Sequence, residues 1–279
     1  EFVELSVRDN LYQLDIIYYT IGTNRDYWLF EIGNERRAII IPEIFSYSSF
    51  VSFPNDIKQF LDDWENSRFI ECRNLIKRAP DTAREIPLQF VRKMAELRDF
   101  MKLRNVRLLM MGGTLLGWYR ECSLIPHTTD IDFAIRIEDY SLNQWGGISS
   151  FRNPVLIFYC FQPYDSYELT IRVKDDTSAN IDLFFLYTNS NKSYFGGLDW
   201  LTRKKYKWSY PRIASVCTGD LLGFLFHVPC NTEDVLTTEY NEWQRDSPSS
   251  DFVWHKSSHN VREDGVFTGE DMQQMRPLG

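Results

Sequence analysis

The sequence predicts a mixed α/β (α+β) fold, a sheet flanked by helices with a β-rich accessory region ahead of it. Three observations carry that expectation. The first fifty residues are rich in Ile, Tyr and Phe between turn signals, two stretches then place apolar residues at helical spacing, and short apolar or alternating runs follow from Val106 onward. With 279 residues, 43% hydrophobic and 15% aromatic, the chain can bury a large core.

Taken in order, "NLYQLDIIYYT", "YWLFEI" and "RRAIIIPEI" read as strands separated by "IGTNRD" and "IGNE". In "PNDIKQFLDDWENSRFIECRNLI", Asn55 or Asp56 stands at a helix start, and Ile57, Phe60, Leu61 and Trp64 share one stripe. This region, residues 1–80, is expected to be accessory to a unit spanning 81–279. Pro87 opens a second amphipathic helix with Val91, Met94, Leu97 and Met101 on its buried face. "VRLLMM" fits a buried strand that Gly112 and Gly113 terminate, and "TLLGWYREC" fits a short helix. "TDIDFAIRI" alternates, so Ile131, Phe133, Ile135 and Ile137 face one way and Asp130 and Asp132 the other. "VLIFYCF", "YELTIRV" and "NIDLFFLY" read as three more strands, the last with Asp182, Phe184 and Leu186 on one face. Beyond Tyr187 the expectation is looser. "GGLDWLTRKKYKWSYPRI" reads as turn and basic segment, "GDLLGFLFHVPC" as apolar, "TEDVLTTEYNEWQ" as a short helix, and the tail from Asp246 as loop or extended arm.

Composition excludes several classes. A net charge of −8, from 39 acidic against 31 basic residues, argues against general nucleic-acid binding, which relies on basic footprints. No apolar run approaches the roughly 20 residues of a membrane span, and "EFVELSVRDN" lacks a signal-peptide layout. The chain opens on Glu1 rather than Met, which leaves room for a membrane anchor ahead of it. Its five cysteines contain no CxxC pair, against a zinc ribbon. His255 and His259 have metal-binding spacing, but "HKSSHN" has no Cys partner and no clear helical pattern. His227 and the tryptophans Trp118, Trp208 and Trp243 read as packing groups. Asn191 in "NKS" is the single glycosylation sequon.

The chemistry concentrates in "MMGGTLLGWYRECSLIPHTTDIDFAI". Gly112, Gly113 and Thr114 between strand and helix form either an ordinary turn or a phosphate cradle, in which backbone N–H groups approach an anion at a helix N-terminus. Asp130 and Asp132, two apart on a strand, have Cα atoms about 6 to 7 Å apart on one face. They are either solvent-facing acids on an edge strand or ligands of a divalent cation. Asp182 weighs toward the second, because a carboxylate inside "NIDLFFLY" needs a partner. If the strands are neighbours, three acids converge as Mg²⁺ ligands, and burial would raise the pKa of Asp182 toward that of a general base. The run Arg203, Lys204, Lys205 and Lys207, interleaved with Tyr206 and Trp208, is either a solvated turn or a pyrophosphate-binding segment with an aromatic for the base.

A Gly-Gly-Thr turn, a D-h-D strand and a later h-D-h strand form the layout of a polymerase-β-type nucleotidyltransferase-like core. The segment 110–135, continuing through "NIDLFFLY", "RKKYKWSYPRI", "HVPC" and "EYNEWQ", strongly resembles the LicD and fukutin family over roughly residues 88 to 267. The resemblance implies transfer of a phospho-alcohol, such as ribitol 5-phosphate or phosphocholine, from a CDP-linked donor to a glycan hydroxyl. It implies Mg²⁺ or Mn²⁺ on Asp130, Asp132 and Asp182, with Gly112, Gly113, Thr114, Lys204 and Lys205 toward nucleotide and phosphates. Arg120 occupies the arginine position of the family's "GTLLGxxR" element, bridging the donor phosphate or bracing the carboxylates. It further implies a Golgi or ER lumenal setting, complexes with other glycan-modifying transferases, and a pairing of Cys217 with Cys230. Several members carry D-x-D-x-D, and the first of those positions here is Thr128. Two rival readings remain: a D-x-D sugar-nucleotide glycosyltransferase, which leaves Gly-Gly-Thr and Asp182 unaccounted for, and a catalytically silent glycan-binding or scaffold member.

Overall fold

The computed structural model describes residues 2–7, 10–16, 25–48, 51–139, 155–160, 168–173, 179–199, 201–246 and 252–274. The N-terminal region is β-rich as expected. Strands β1 (Phe2–Val7), β2 (Asn10–Ile16), β3 (Tyr27–Ile32) and β4 (Glu35–Ile40) form an antiparallel meander, followed by a hairpin of β5 (Ile44–Ser48) and β6 (Val51–Pro54). Helix α1 (Ile57–Glu65) starts at Asp56, whose carboxylate accepts from the Gln59 N–H at 2.9 Å. Its Phe60 and Trp64 pack on Phe30 and Ile39 of the meander.

Residues 67–75 then seam this region to the rest. Ala38 N donates to Ser67 O, Thr218 N to Arg68 O, and Ile70 N to Thr218 O, so the segment runs between two sheets. Further on, Arg73 N and Leu75 N bond Tyr119 O and Arg120 O. A disulfide joins Cys72 to Cys122, and a second joins Cys217 to Cys230, the pairing that the resemblance implied.

The second half is one large mixed sheet with helices against it. After α2 (Phe90–Lys102) come β7 (Leu109–Met110), α3 (Gly112–Glu121), β8 (Asp130–Arg136), β9 (Val155–Cys160), β10 (Glu168–Val173) and β11 (Asn180–Thr188). There follow β12 (Lys192–Asp199), β13 (Lys204–Pro211), β14 (Val216–Leu221), β15 (Phe224–Pro229), α4 (Thr232–Tyr240), α5 (Trp254–Ser257), β16 (Val261–Val266) and α6 (Gly269–Gln274). The strand order is β14-β15-β7-β8-β11-β12-β13-β16, with β10 also on β11 and β9 on β10. Strands β8 and β11 are parallel, as are β15 and β7. Trp118 is fully buried and its indole donates to Asp220 O at 2.8 Å. A Cβ on Gly219 would fall 2.1 Å from that ring, so only glycine lets the β14 backbone pass it. Among the described residues no helix is long and apolar enough to cross a membrane.

Two expectations are corrected. The stretch expected as turn and basic segment is β12 and β13, because Tyr206, Trp208 and Tyr210 alternate inward while the lysines alternate with them. The tail is not a loop throughout. Its "VREDGV" is β16, an edge strand that pairs Lys207 with Arg262 and Trp208 with Val261.

Candidate active site

Parallel pairing of β8 and β11 sets the site. The register places Asp182 opposite Asp132 and Asn180 opposite Asp130, so the period-2 pleat brings the three carboxylates to one face. One carboxylate oxygen from each lies within 4.8 Å of those of the other two, and each residue is half-buried. Ile131, Phe133, Ile181 and Leu183 on the opposite face are fully buried, which fixes the pleat and leaves the acids no alternative side.

The glycine turn closes against these acids. Gly112 has φ +52°, and a Cβ there would stand 2.6 Å from Asp132 Oδ2. The Gly113 N–H donates to that same oxygen at 2.8 Å, and Asp132 N donates to Thr114 Oγ1 at 2.8 Å. Strand β8 and the start of α3 are thus locked together through one residue, with the positive end of the helix toward the carboxylate. Thr128 donates its hydroxyl to Asp130 Oδ1 at 3.3 Å and to Asp130 O at 3.1 Å.

Electrostatics at this point are dominated by carboxylates. Burial, then the charges of Asp130, Asp182 and Glu239, push Asp132 well above the ordinary carboxylate range, against the pull of the Gly113 N–H. Burial also raises Asp130, opposed by the Thr128 hydrogen bond. A half-buried group of three acids with oxygens this close is a set of hard donors able to hold a divalent cation.

Four expected phosphate or nucleotide contacts are placed otherwise. Thr114 is buried and its hydroxyl is engaged by Asp132 N, so it braces the aspartate. Arg120, at the far end of α3, is also buried. It donates to Glu121 Oε1 at 2.7 Å and to Arg245 O at 2.8 Å, in a network that Arg78 extends to Asp246. Its charge is spent on anchoring the helix. Lys204 and Lys205 begin the strand whose other end, Tyr210, lies toward the acids, a separation of roughly 17 to 20 Å along β13. Lys204 pairs with Glu263 at 2.7 Å and Lys205 lies 3.9 Å from Asp264, so β16 supplies the counter-charges. Nor do the interleaved aromatics offer an open face for a base. Trp208 is stacked between Phe195 and Trp254, and Tyr206 is buried against Trp254 and His255. His255 packs among these rings, and His259 N donates to Glu239 O, which leaves the two histidines in separate roles.

One residue near the site was missed. Glu239 on α4 is only 5% exposed, accepts from the Tyr210 hydroxyl at 2.9 Å, and lies close enough to raise Asp132. Burial pushes its own carboxyl up to about 7, against the hydrogen bonds from Tyr210 and Tyr240. A signal existed. Thr232, Val235, Leu236 and Glu239 share the buried stripe of α4, so an acid occupies a core position of an amphipathic helix.

Comparison with known proteins bears on what this arrangement belongs to. A family model described as LicD/FKTN/FKRP, nucleotidyltransferase domain, matches residues 105–231, which contain the glycine turn and all three aspartates. The Caenorhabditis elegans protein W02B3.4 is 34% identical over 273 residues, 94% of this chain and 70% of its own length. The chain belongs to the LicD/FKTN/FKRP family. Within that family, the human ribitol-5-phosphate transferase FKTN is 30% identical over 229 residues, 78% of this chain, and the chain spans about half of that relative's length, 48%. A second model, the W02B3.4-like N-terminal domain, matches residues 3–71. The mixed sheet flanked by helices accords with the nucleotidyltransferase-like domain that the family model describes.

Proposed function

We propose that this chain transfers a phospho-alcohol, such as ribitol 5-phosphate or phosphocholine, from a CDP-linked donor to a glycan hydroxyl, with Mg²⁺ or Mn²⁺ held by Asp130, Asp132 and Asp182. The observation that carries the reading is the meeting of these three carboxylates, within 4.8 Å, at the start of α3. The naming of a human relative as a ribitol-5-phosphate transferase supports it. All-oxygen donors suit such an ion, and burial together with the neighbouring acids pushes Asp132 up, a load that a bound cation would relieve.

When bound, the ion would neutralise charge building on the phosphoryl oxygens. The chain's own residues do the rest. Gly113 holds Asp132 Oδ2, and Thr128 holds Asp130, so the acids are fixed before a ligand arrives. Gly112 and Gly113 keep the approach to Asp132 free of side chains. The acceptor oxygen bonds to the phosphorus that carries the alcohol, the bond from that phosphorus to CMP breaks, and CMP leaves with the electron pair. Asp182 is assigned to take the hydroxyl proton. Residues 81–279 are assigned to this catalytic unit and 1–80 to an accessory region. The two disulfides fit an oxidising Golgi or ER lumen.

The test is a thermal-shift panel of CDP, CDP-ribitol, CDP-choline, CDP-glycerol and UDP-sugars, with and without Mn²⁺. A CDP compound at a hundredfold its Kd should stabilise the protein by about 2.7 kcal/mol, and only with the metal. Asp132→Asn should abolish both that shift and CMP release while leaving the fold intact. Unchanged turnover in this variant sinks the mechanism, and stabilisation by UDP-sugars alone replaces it with sugar transfer.

A further inference from the structure

Among the described residues, Phe252, Val253 and Trp254 are the one run of three consecutive apolar side chains that are all exposed, at 44%, 39% and 41%. They sit in an otherwise polar tail, and although Trp254 and Phe252 each pack one side on neighbouring rings, they leave apolar surface in water. Two lines of contact connect them to the aspartates. Phe184 stands two residues after Asp182 on the same face of β11 and stacks on Phe195 at 4.6 Å. Phe195 stacks on Trp208, and Trp208 on Trp254 with 24° between the rings. By the other route, the Phe252 ring lies 5.9 Å from Tyr240, which bonds Glu239 beside Asp132.

We propose that Phe252 and Trp254 form a stacking subsite for a sugar unit of the acceptor glycan, away from the hydroxyl that reacts; this rests on the transferase reading of the aspartates. Distance is the first argument. The ring stack from Phe184 to Trp254 spans no more than about 16 Å. A short oligosaccharide whose reacting hydroxyl lies at the aspartates covers that reach. The rim is the second. His255 abuts Trp254 at 4.8 Å and acts on Asp199, and the Lys204–Glu263 pair borders Tyr206 in the same place. A pyranose offers an apolar face of C–H bonds and an edge of hydroxyls, which answers rings and ions together. A lipid or an apolar protein surface would strip water from those charges without replacing it.

The experiment uses the full chain with the soluble tetrasaccharide lacto-N-neotetraose as probe, followed by tryptophan fluorescence and saturation-transfer NMR, with the CDP and Mn²⁺ thermal shift measured on the same samples. Trp254→Ala should weaken tetrasaccharide binding roughly tenfold, and Phe252→Ala should weaken it less, with the CDP shift unchanged in both. Trp254→Phe should retain most of the binding. Equal tetrasaccharide affinity in wild type and Trp254→Ala, no tetrasaccharide binding by wild type, or loss of the CDP shift on removing Trp254 overturns the subsite. Should wild type show Trp254-dependent tetrasaccharide binding and no CDP shift, the subsite stands and the transferase reading falls.

Discussion

Gly112 and Gly113 are adjacent and chemically identical, yet their surroundings assign them different tolerance. Gly112 combines a left-handed φ with a Cβ position 2.6 Å from Asp132 Oδ2, so Gly112→Ala must displace that carboxylate. At Gly113 the same atom is 3.4 Å away, ordinary contact, and the N–H that holds Asp132 is kept in Gly113→Ala. The first variant should lose the Mn²⁺-dependent CDP shift and at least a hundredfold of turnover, about 3 kcal/mol of barrier, and the second should keep both within a few-fold. Equal losses would show that the turn serves the ligand through something other than Asp132. Glu239 gives a second prediction, through linkage. Its folded pKa near 7 exceeds the ordinary 4.5, so the native state holds the proton longer than the unfolded chain does. That contribution to stability is full below the unfolded value and is lost as pH rises through about 7. Glu239→Gln cannot ionise, so its urea midpoint relative to wild type should climb between pH 4.5 and 7 and level off above; a flat difference across that window refutes the assignment. Asp130, Asp132 and Asp182 were legible in the sequence because strand alternation is local. Glu239 was legible as an acid on the buried stripe of α4, but its partner Tyr210 lies 29 residues away, so its place beside the aspartates was not.

At the scale of elements, α3 is a rod fixed at both ends. Its N-terminus meets the aspartates, while its last turn is held by Glu121, which accepts from Arg120 and twice from Arg78, all between 2.7 and 2.9 Å. The Glu121 side chain is fully buried and Arg120 nearly so, which makes the carboxylate the element's most sensitive charge. Replacing it by Ala leaves a buried guanidinium uncompensated, and the expected loss is about 3 to 5 kcal/mol in urea unfolding. Arg120→Met, which removes the buried cation and keeps the volume, should cost less; the reverse order would mean that Glu121 is not the most sensitive charge of this helix end. From the sequence, Arg120 could bridge a phosphate or brace the carboxylates and the lysines could be a solvated turn or a pyrophosphate segment, because their partners are not local. The counter-charges come from Glu121, Glu263 and Asp264, and for the lysines they sit on β16, some 60 residues later in a tail that reads as loop. Charge stood out in "RKKYKWSY", while the alternation of Tyr206, Trp208 and Tyr210 beneath it specified the strand.

For the whole molecule, the question is what makes the β-rich region and the aspartate-bearing sheet one structure. Residues 67–75 answer it, since they bond β4 on one side, β14 on the other and the end of α3 beyond, and Cys72–Cys122 clamps them there across a sequence separation of 50. The clamp was not visible in the sequence, because pairing among five cysteines follows from the folded path and not from spacing, whereas Cys217–Cys230 was implied by the family resemblance alone. In the chain-entropy account, closing a loop of that length removes about 4 kcal/mol worth of unfolded-state freedom, against about 3 kcal/mol for the 13-residue separation of Cys217–Cys230. The two bridges also differ in what they join. Cys217 and Cys230 lie within one hairpin whose β14–β15 ladder persists without them, whereas Cys72 ties a seam segment to the helix that positions Asp132. The paired variant Cys72→Ser with Cys122→Ser should therefore lose more stability than Cys217→Ser with Cys230→Ser, and amide exchange should accelerate over 67–75 and the last turn of α3. It should also weaken the Mn²⁺-dependent CDP shift, because the far end of the rod is freed. Faster exchange confined to β14 and β15 in both pairs, with 67–75 as protected as in wild type, would mean that the hydrogen bonds of the seam suffice without the clamp.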